Sequence, residues 1–160
     1  MVLRLKDKKS DLNFKGFHLL LIVSNFKDYQ LAHFINIVAG LNFKKYDDFL
    51  FATNPENPRY YSWFHYNDEK YNVKYYLLEN ISNHTYLFSN LKKIDFLLFV
   101  KGSVPGSLIS GLEQKLRGVR GITAVLRHEV SVLKDVQVFL DEMELHELEY
   151  VTKPMKKQVK

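Results

Sequence analysis

Two segments of the chain are apolar on both sides, and the segments around them are apolar on one side only. Residues 17–23 and residues 94–100 carry large apolar side chains at every position except His18 and Asp95. A strand with apolar side chains on both faces is typical of the centre of a sheet that is covered on both sides. The pattern therefore predicts two central strands.

Two amphipathic helices are predicted beside these strands. In the first, Asp28 is the expected N-cap and Gly40 the expected C-terminal stop. In the second, over about residues 105–117, Gly118 and Gly121 mark the end. Apolar residues recur at helical spacing in both segments and are expected to face the core: Leu31, Phe34, Ile35 and Val38 in the first, and Leu108, Ile109, Leu112 and Leu116 in the second.

The rest of the pattern predicts mostly strands. Residues 43–51 form a predicted strand, a turn cluster covers residues 52–58, and residues 59–78 form a hairpin around the loop 67–70. This hairpin pairs Tyr66 with Tyr71 and Phe64 with Val73. Shorter strands are predicted near residues 85–88, 122–127 and 136–140, and a terminal helix is predicted over residues 141–152.

The order of elements predicts an α+β fold. Strand–helix–strand units flank antiparallel hairpins, which favours a two-layer, ferredoxin-like sandwich with a mostly antiparallel sheet of five to seven strands. Two main helices are expected on one face, together with a C-terminal helix. A doubly wound α/β sheet is disfavoured, because the middle third has no crossover helix. We expect a basic tail at 1–11, one domain at 12–140, and a helix with a basic tail at 141–160.

Composition and charge narrow the classes of function. The chain has 160 residues, no cysteine and a formal net charge of +5. Residues 1–9 carry +3 and residues 152–160 carry +4, which leaves −2 for residues 10–151. The basic character therefore belongs to the two tails, where solvation is its commonest role. Disulfides, thiolate zinc sites and a thiol nucleophile are excluded, and no secretory or membrane-spanning segment is evident, so we expect a cytoplasmic protein.

No sequence motif for catalysis or metal binding is evident. None of the six histidines has a metal-ligand spacing, and the adjacent carboxylate pairs are expected in turns, at edges and at a helix start. The loop before the second helix lacks the spacing and the lysine of a Walker A loop. It offers only a weak candidate anion site, formed by Gly102, Ser103, Gly106 and Ser107. We predict no catalytic residues, no metal and no cofactor.

One face of the predicted hairpin interleaves aromatic and basic side chains. The residues on this face are Arg59, Tyr61, Trp63, His65, Lys74 and Tyr76. An aromatic platform can stack unpaired RNA bases, although the RNP1 pattern is missing. The same residue types dominate protein interfaces, so an interface or an intramolecular cover is the favoured interpretation.

The residues between 24 and 36 resemble the first-helix region of the bacterial IPExxxVDY family. The signature would fall on residues 88–96, where its second half survives as Ile94-Asp95-Phe96 and its first half is replaced by Phe88, Ser89 and Asn90. The similarity runs from about residue 12 to residue 140. The resemblance implies a family of unknown function with no established catalytic residues.

Three hypotheses about function follow. The first is a non-enzymatic, self-associating interaction or binding module; the second is a single-stranded RNA-binding protein. The third is an enzyme or small-ligand protein whose pocket is built from dispersed residues such as His18, Asp95 and Ser103. Because the sheet face opposite the two helices is apolar, we expect a homodimer to cover it, with the terminal helix as the alternative cover through Leu140, Met143, Leu148 and Val151.

Overall fold

The predicted central strands belong to one antiparallel sheet. A computed structural model describes residues 16–51 and 58–152. Its helices are α1 (Asp28–Ala39), α2 (Gly106–Arg117) and α3 (Val136–Glu147), the last continued by a π-helical turn at Leu148–Thr152. Its strands are β1 (Phe17–Ser24), β2 (Lys44–Lys45), β3 (Phe49–Phe51), β4 (Arg59–Tyr61), β5 (Trp63–Asp68), β6 (Val73–Glu79), β7 (Ile81–Ser82), β8 (Thr85–Tyr86), β9 (Phe96–Lys101) and β10 (Ile122–His128).

Six strands form the main sheet in the order β10-β1-β9-β6-β5-β2, and every neighbouring pair is antiparallel. The doubly apolar strands β1 and β9 lie side by side inside it, as their pattern predicts. Two small hairpins, β3–β4 and β7–β8, lie outside this sheet. The predicted α+β class and the predicted antiparallel sheet of five to seven strands are therefore confirmed, and the sheet has six strands.

Helices α1 and α2 cover the first face of the sheet. Leu31 and Ile35 of α1 and Ile109 and Leu116 of α2 are fully buried there against alternate residues of the strands. Phe34, Val38 and Leu108 pack on the same core but are only partly buried. The helical spacing thus identifies the correct faces of both helices.

Helix α3 covers the second face. Val136, Phe139, Leu140 and Met143 are buried against the other residues of β1 and β9. Helices therefore lie on both faces of the sheet, which adds a third layer to the two expected from the sequence. The apolar face that motivated the homodimer is covered within one chain, by the alternative that the sequence offered. Leu148, assigned to the covering stripe, is instead largely exposed, whereas Val151 packs on this core.

Several predicted boundaries are wrong. Residues 136–140 are helical, so α3 begins five residues before the predicted start and Asp141 and Glu142 lie inside the helix. Residues 43–51 form two short strands joined by a bend. Asp28 is the first residue of α1 rather than its N-cap, and Gln30 Oε1 accepts a hydrogen bond from the Lys27 amide at 3.0 Å.

The hairpin register differs from the prediction by four residues. Tyr66 pairs with Tyr75 and Phe64 pairs with Leu77, so the turn occupies residues 69–72. Asn72 adopts a left-handed conformation there (φ 55°), which asparagine tolerates better than most residues. Because the difference is even, each side chain keeps its predicted face.

Residues 1–15, 52–57 and 153–160 lie outside the described part of the chain, and with them most of both basic tails and the predicted turn cluster. Within the described ranges, no helix combines the length and the apolar character needed to cross a membrane.

Candidate functional site

The aromatic face predicted from the sequence is buried beneath α3. Tyr61, Trp63, His65 and Tyr76 each expose 2% of their surface or less. These rings therefore do not face solvent while α3 is in place, and intramolecular cover, one of the two favoured interpretations, accounts for their burial. Stacking of bases on Trp63 or Tyr76 would require α3 to leave the sheet.

The two basic residues of this face lie at its margins. Arg59 lies on the separate strand β4, and its Nε donates a hydrogen bond to Thr85 Oγ1 at 3.1 Å. Lys74 is partly exposed, and its Nζ lies 3.0 Å from Glu147 Oε2. The predicted face therefore packs against the C-terminal helix α3.

Glu147 of α3 is the polar centre of this contact. Its Oε1 accepts a hydrogen bond from the Tyr76 hydroxyl at 2.7 Å, and its Oε2 lies 3.0 Å from His65 Nε2. An ionised carboxylate can only accept, so His65 Nε2 carries the hydrogen of this bond. A single buried carboxylate therefore joins α3 to β5 and β6.

These contacts determine the ionisation of the buried groups. Burial alone would raise the pKa of Glu147, but the hydrogen bonds from His65, Tyr76 and Lys74 outweigh it and lower the pKa to about 2. Burial and the negative charge of Glu147 raise the pKa of Tyr76 well above its usual range. At neutral pH the carboxylate is charged and the phenol is neutral, so the phenol donates to a charged acceptor and joins the sheet to α3.

His146, the neighbour of Glu147, packs edge-on against Trp63. Its ring centroid is 4.6 Å from that of Trp63, and its Nε2 donates to the carbonyl of Asp47 at 2.8 Å. Burial lowers the pKa of His146. A neutral imidazole here joins α3 to the bend before β3.

A polar cleft of about 640 Å³ lies between the start of α1 and the ends of β5 and β6. Ser62 donates a hydrogen bond to Asp28 Oδ2 and accepts one from Lys45 Nζ at 2.9 Å. Lys45 also lies 3.1 Å from Asp48 Oδ1. Burial, followed by the negative charge of Asp28, raises the pKa of Glu79 in this cleft to about 7.

An apolar groove of about 540 Å³ adjoins this cleft and shares Asp48 and Tyr60 with it. Leu50 and Tyr60 pair directly across the β3–β4 hairpin and form one wall. Leu145 and Leu148, one helical turn apart, form the other. These four side chains are 41–58% exposed, and we call the space between them the α3 groove.

The other residues singled out from the sequence do not form a common site. Asp95 accepts a hydrogen bond from the Ser24 amide at 2.8 Å, which gives its carboxylate a structural role. His18 is partly buried in β1, and His33 is exposed on α1. Ser103, Gly106 and Ser107 are exposed around the start of α2, and Gly102 packs against the Asn72 carbonyl.

Sequence reasoning missed the α3 groove and the polar cleft. Each joins residues far apart in the chain, and the start of α3 was misassigned as a strand. Leu145 and Leu148 could have been found as apolar positions on a face of α3 other than the stripe of Leu140 and Met143. In the described part of the chain, no group of three His, Asp or Glu side chains has an arrangement that could hold a metal ion.

Comparisons with known families and curated proteins identify no relative of this chain. A scan of the chain against protein-family models finds no match, and a search of curated proteins finds no similar protein.

Proposed function

We propose that this protein is a non-enzymatic binding module that holds a segment of a partner protein in the α3 groove. The observation that carries this proposal is the convergence of four exposed apolar side chains on one groove: Leu50, Tyr60, Leu145 and Leu148. Apolar side chains that line a common concave surface mark interaction sites, whereas scattered ones do not.

The residues next to the groove walls are buried or hydrogen-bonded, which favours recognition. Phe49 and Tyr61, behind Leu50 and Tyr60, are buried in the core below α3. His146 and Glu147, next to Leu145 and Leu148, are held by hydrogen bonds to Asp47, His65 and Tyr76. A preorganised groove loses little conformational entropy on binding.

The experiment is selection of peptides from a displayed random library on the full-length protein. Selected peptides should bind the wild type and the control Val138→Gln, which alters an exposed side chain on α3 outside the groove. They should lose at least about tenfold in affinity, or about 1.4 kcal/mol, for Leu145→Gln. Binding that Leu145→Gln leaves unchanged would contradict the proposal.

Self-association remains one form of this proposal. A second copy could supply the segment that enters the groove, and sedimentation velocity at tens of micromolar would then show a dimer. The mutation Leu145→Gln should dissociate that dimer, and Val138→Gln should not. A dimer unaffected by Leu145→Gln would use another surface.

A small-ligand or enzymatic role is the second candidate, and the polar cleft favours it. Glu79, with a pKa of about 7, would exchange a proton near neutral pH beside Ser62 and Lys45. Titration of the Glu79 carboxyl by NMR tests this. A pKa near 4.5 would remove the support for this candidate.

We also propose that the sheet is an extended ferredoxin-like arrangement. The order β10-β1-β9-β6, with α1 and α2 as the two connecting helices, supports this assignment, and β5 and β2 extend one edge. Membership of the IPExxxVDY family and a cytoplasmic location belong to the same proposal. They are supported by the quoted residues and by the absence of cysteine.

A further inference from the structure

The charges around the α3 groove have one sign. Its lining residues include Asp48, Glu142 and Glu149, and no Lys or Arg of the described ranges lines it. Glu142 and Glu149 are exposed, two turns apart on α3 and its π-helical extension. His146 also lines the groove, but burial keeps it neutral. The groove therefore has apolar walls, and we call Asp48, Glu142 and Glu149 its acidic rim.

The polar cleft continues this acidic rim beyond Asp48 and Tyr60. It contributes Asp28 and Glu79, and its cation Lys45 is already paired with Asp28 at 3.5 Å and with Asp48 at 3.1 Å. Three carboxylates share this one cation, so a positive side chain that reaches past Tyr60 would meet a net negative charge. Burial and repulsion from Asp28 make the ionised form of Glu79 costly, and a bound cation would relieve that cost.

We propose, resting on the binding function proposed above, that the partner is an amphipathic segment with apolar side chains on one face and Lys or Arg beside them. Its apolar face occupies the groove between Leu50 and Leu145, and its basic residues lie along Glu142, Glu149 and Asp48. Complementary charge at a rim raises the association rate and excludes partners of the wrong sign.

The walls of the groove favour a helical segment over an added strand. Leu50 and Tyr60 pair with each other, so their side chains lie on one face of the two-stranded sheet, and both line the groove. Leu145 and Leu148 are spaced i,i+3 on the opposite wall. Side chains on both walls match the recognition of an amphipathic helix in a groove, which positions anchors at i, i+3, i+4 and i+7.

The same charges disfavour other occupants. In a two-fold dimer formed groove to groove, Glu142 and Glu149 would lie close to their own copies, and like charges across an interface cost binding energy. RNA and anionic lipid surfaces would be repelled by the same acids. A basic amphipathic protein segment is the occupant that complements both the apolar walls and the negative charge of the rim.

The test uses a synthetic amphipathic helix of about 15 residues, built from Leu, Ala and Lys with Leu at helical spacing. A matched peptide has Glu in place of each Lys. Binding to the full-length protein is measured by fluorescence anisotropy in low and high salt. We expect the Lys peptide to bind more tightly than the Glu peptide, and its affinity to fall as salt screens the rim.

Two pairs of variants locate the binding. Glu142→Lys with Glu149→Lys reverses the rim, while Glu69→Lys with Glu129→Lys gives the same change in net charge at exposed positions outside the groove. Leu145→Gln removes an apolar contact, and Val138→Gln is its control. The Lys peptide should lose at least about tenfold in affinity for the two groove variants only.

Each other outcome overturns the inference in a distinguishable way. If both charge-reversed proteins lose the same affinity for the Lys peptide, the net charge of the protein attracts the peptide and the groove does not. Groove-dependent binding of the Glu peptide would keep the proposed function but exclude a basic partner. Groove-dependent dimerisation without peptide binding would identify a second copy as the occupant. If neither binding nor self-association depends on Leu145, the proposed function fails as well.

Discussion

Several polar contacts between α3 and the sheet converge on one residue, Glu147. One carboxylate with 8% side-chain exposure meets the Tyr76 hydroxyl, the His65 ring and the Lys74 ammonium. The mutation Glu147→Gln keeps the shape and one acceptor but removes the charge. We expect it to lower the free energy of unfolding at pH 7 by about 2–4 kcal/mol, measured by urea denaturation. The control Glu144→Gln, at an exposed ion pair with Lys101, should cost less than about 1 kcal/mol.

The pH dependence of this effect follows from the lowered pKa of Glu147. Its pKa is about 2 in the folded protein and 4.5 as the reference for the unfolded chain. The stabilisation is complete above the unfolded pKa, and it falls as the pH decreases from about 4.5 towards 2, because only the unfolded chain then takes up the proton. The difference in stability between wild type and Glu147→Gln should therefore shrink across this range. A difference that stays constant from pH 7 to pH 2.5 would contradict the role assigned to the charge.

Asn80 is a second buried polar residue that joins distant segments. It is fully buried, and its Nδ2 donates to the carbonyls of Leu91 and Ile94, both at 2.9 Å, while its Oδ1 accepts from the Phe88 amide. Asn80→Ala would leave these backbone groups without a side-chain partner. We expect a loss of about 2–4 kcal/mol in thermal or urea unfolding, since each unpaired buried group costs about 1–3 kcal/mol. A loss below 0.5 kcal/mol, or about what a surface substitution costs, would show that these bonds are replaced.

At the scale of elements, local patterns predicted those parts of the fold that local forces determine. Helices α1 and α2 were found because their apolar residues recur at helical spacing and glycines follow them. Helix α3 was partly missed, because Val136 and Val138 are β-branched and favour a strand locally, whereas burial of Val136, Phe139 and Leu140 against the sheet favours the helix. The hairpin register was missed because pairing of β6 with β9, distant in sequence, also constrains it.

The candidate site was less predictable than the fold. The α3 groove joins Leu50 to Leu145, and the Glu147 network joins residues 71 and 82 positions apart. No local pattern marks such a pairing, since it depends on where α3 lies on the sheet. The sequence did identify which hairpin side chains share a face, because the alternation of a strand determines that directly.

The junction between β10 and α1 depends on one glycine. A Cβ on Gly121 would clash with the Phe26 ring, and the φ of Gly121, +108°, is unfavourable for other residues. Gly40 also has a positive φ, of +66°, but a Cβ added there would meet no atom within 4 Å apart from its chain neighbours. Gly40→Ala should cost about 1–2 kcal/mol from the backbone alone. Gly121→Ala should cost clearly more in urea denaturation, and equal losses would mean that Phe26 moves away freely.

The described part of the molecule is built around one six-stranded sheet, which has a separate apolar core on each face. Trp63, the only tryptophan, is fully buried in the core below α3, whereas α1 and α2 pack on the other core. Its fluorescence therefore reports on one core, while far-ultraviolet circular dichroism reports on all elements. Strands β1 and β9 contribute alternate residues to both cores, so we expect the two signals to change together during urea unfolding of the wild type.

A substitution at Phe139 tests whether the two cores always unfold together. It is fully buried, and its ring contacts those of Phe49, Phe51, Phe88 and Phe99, with centroids 4.9–5.6 Å apart. Phe139→Ala should cost about 3–5 kcal/mol in the core around Trp63 while leaving the opposite core intact. We expect the fluorescence transition to shift to lower urea than the circular dichroism transition, because α3 can leave the sheet before the strands separate. The control Ile35→Ala weakens the other core and should shift both signals together, since loss of the sheet also releases Trp63. If the two transitions coincide in Phe139→Ala as well, the cores unfold as a single unit and α3 has no independent opening.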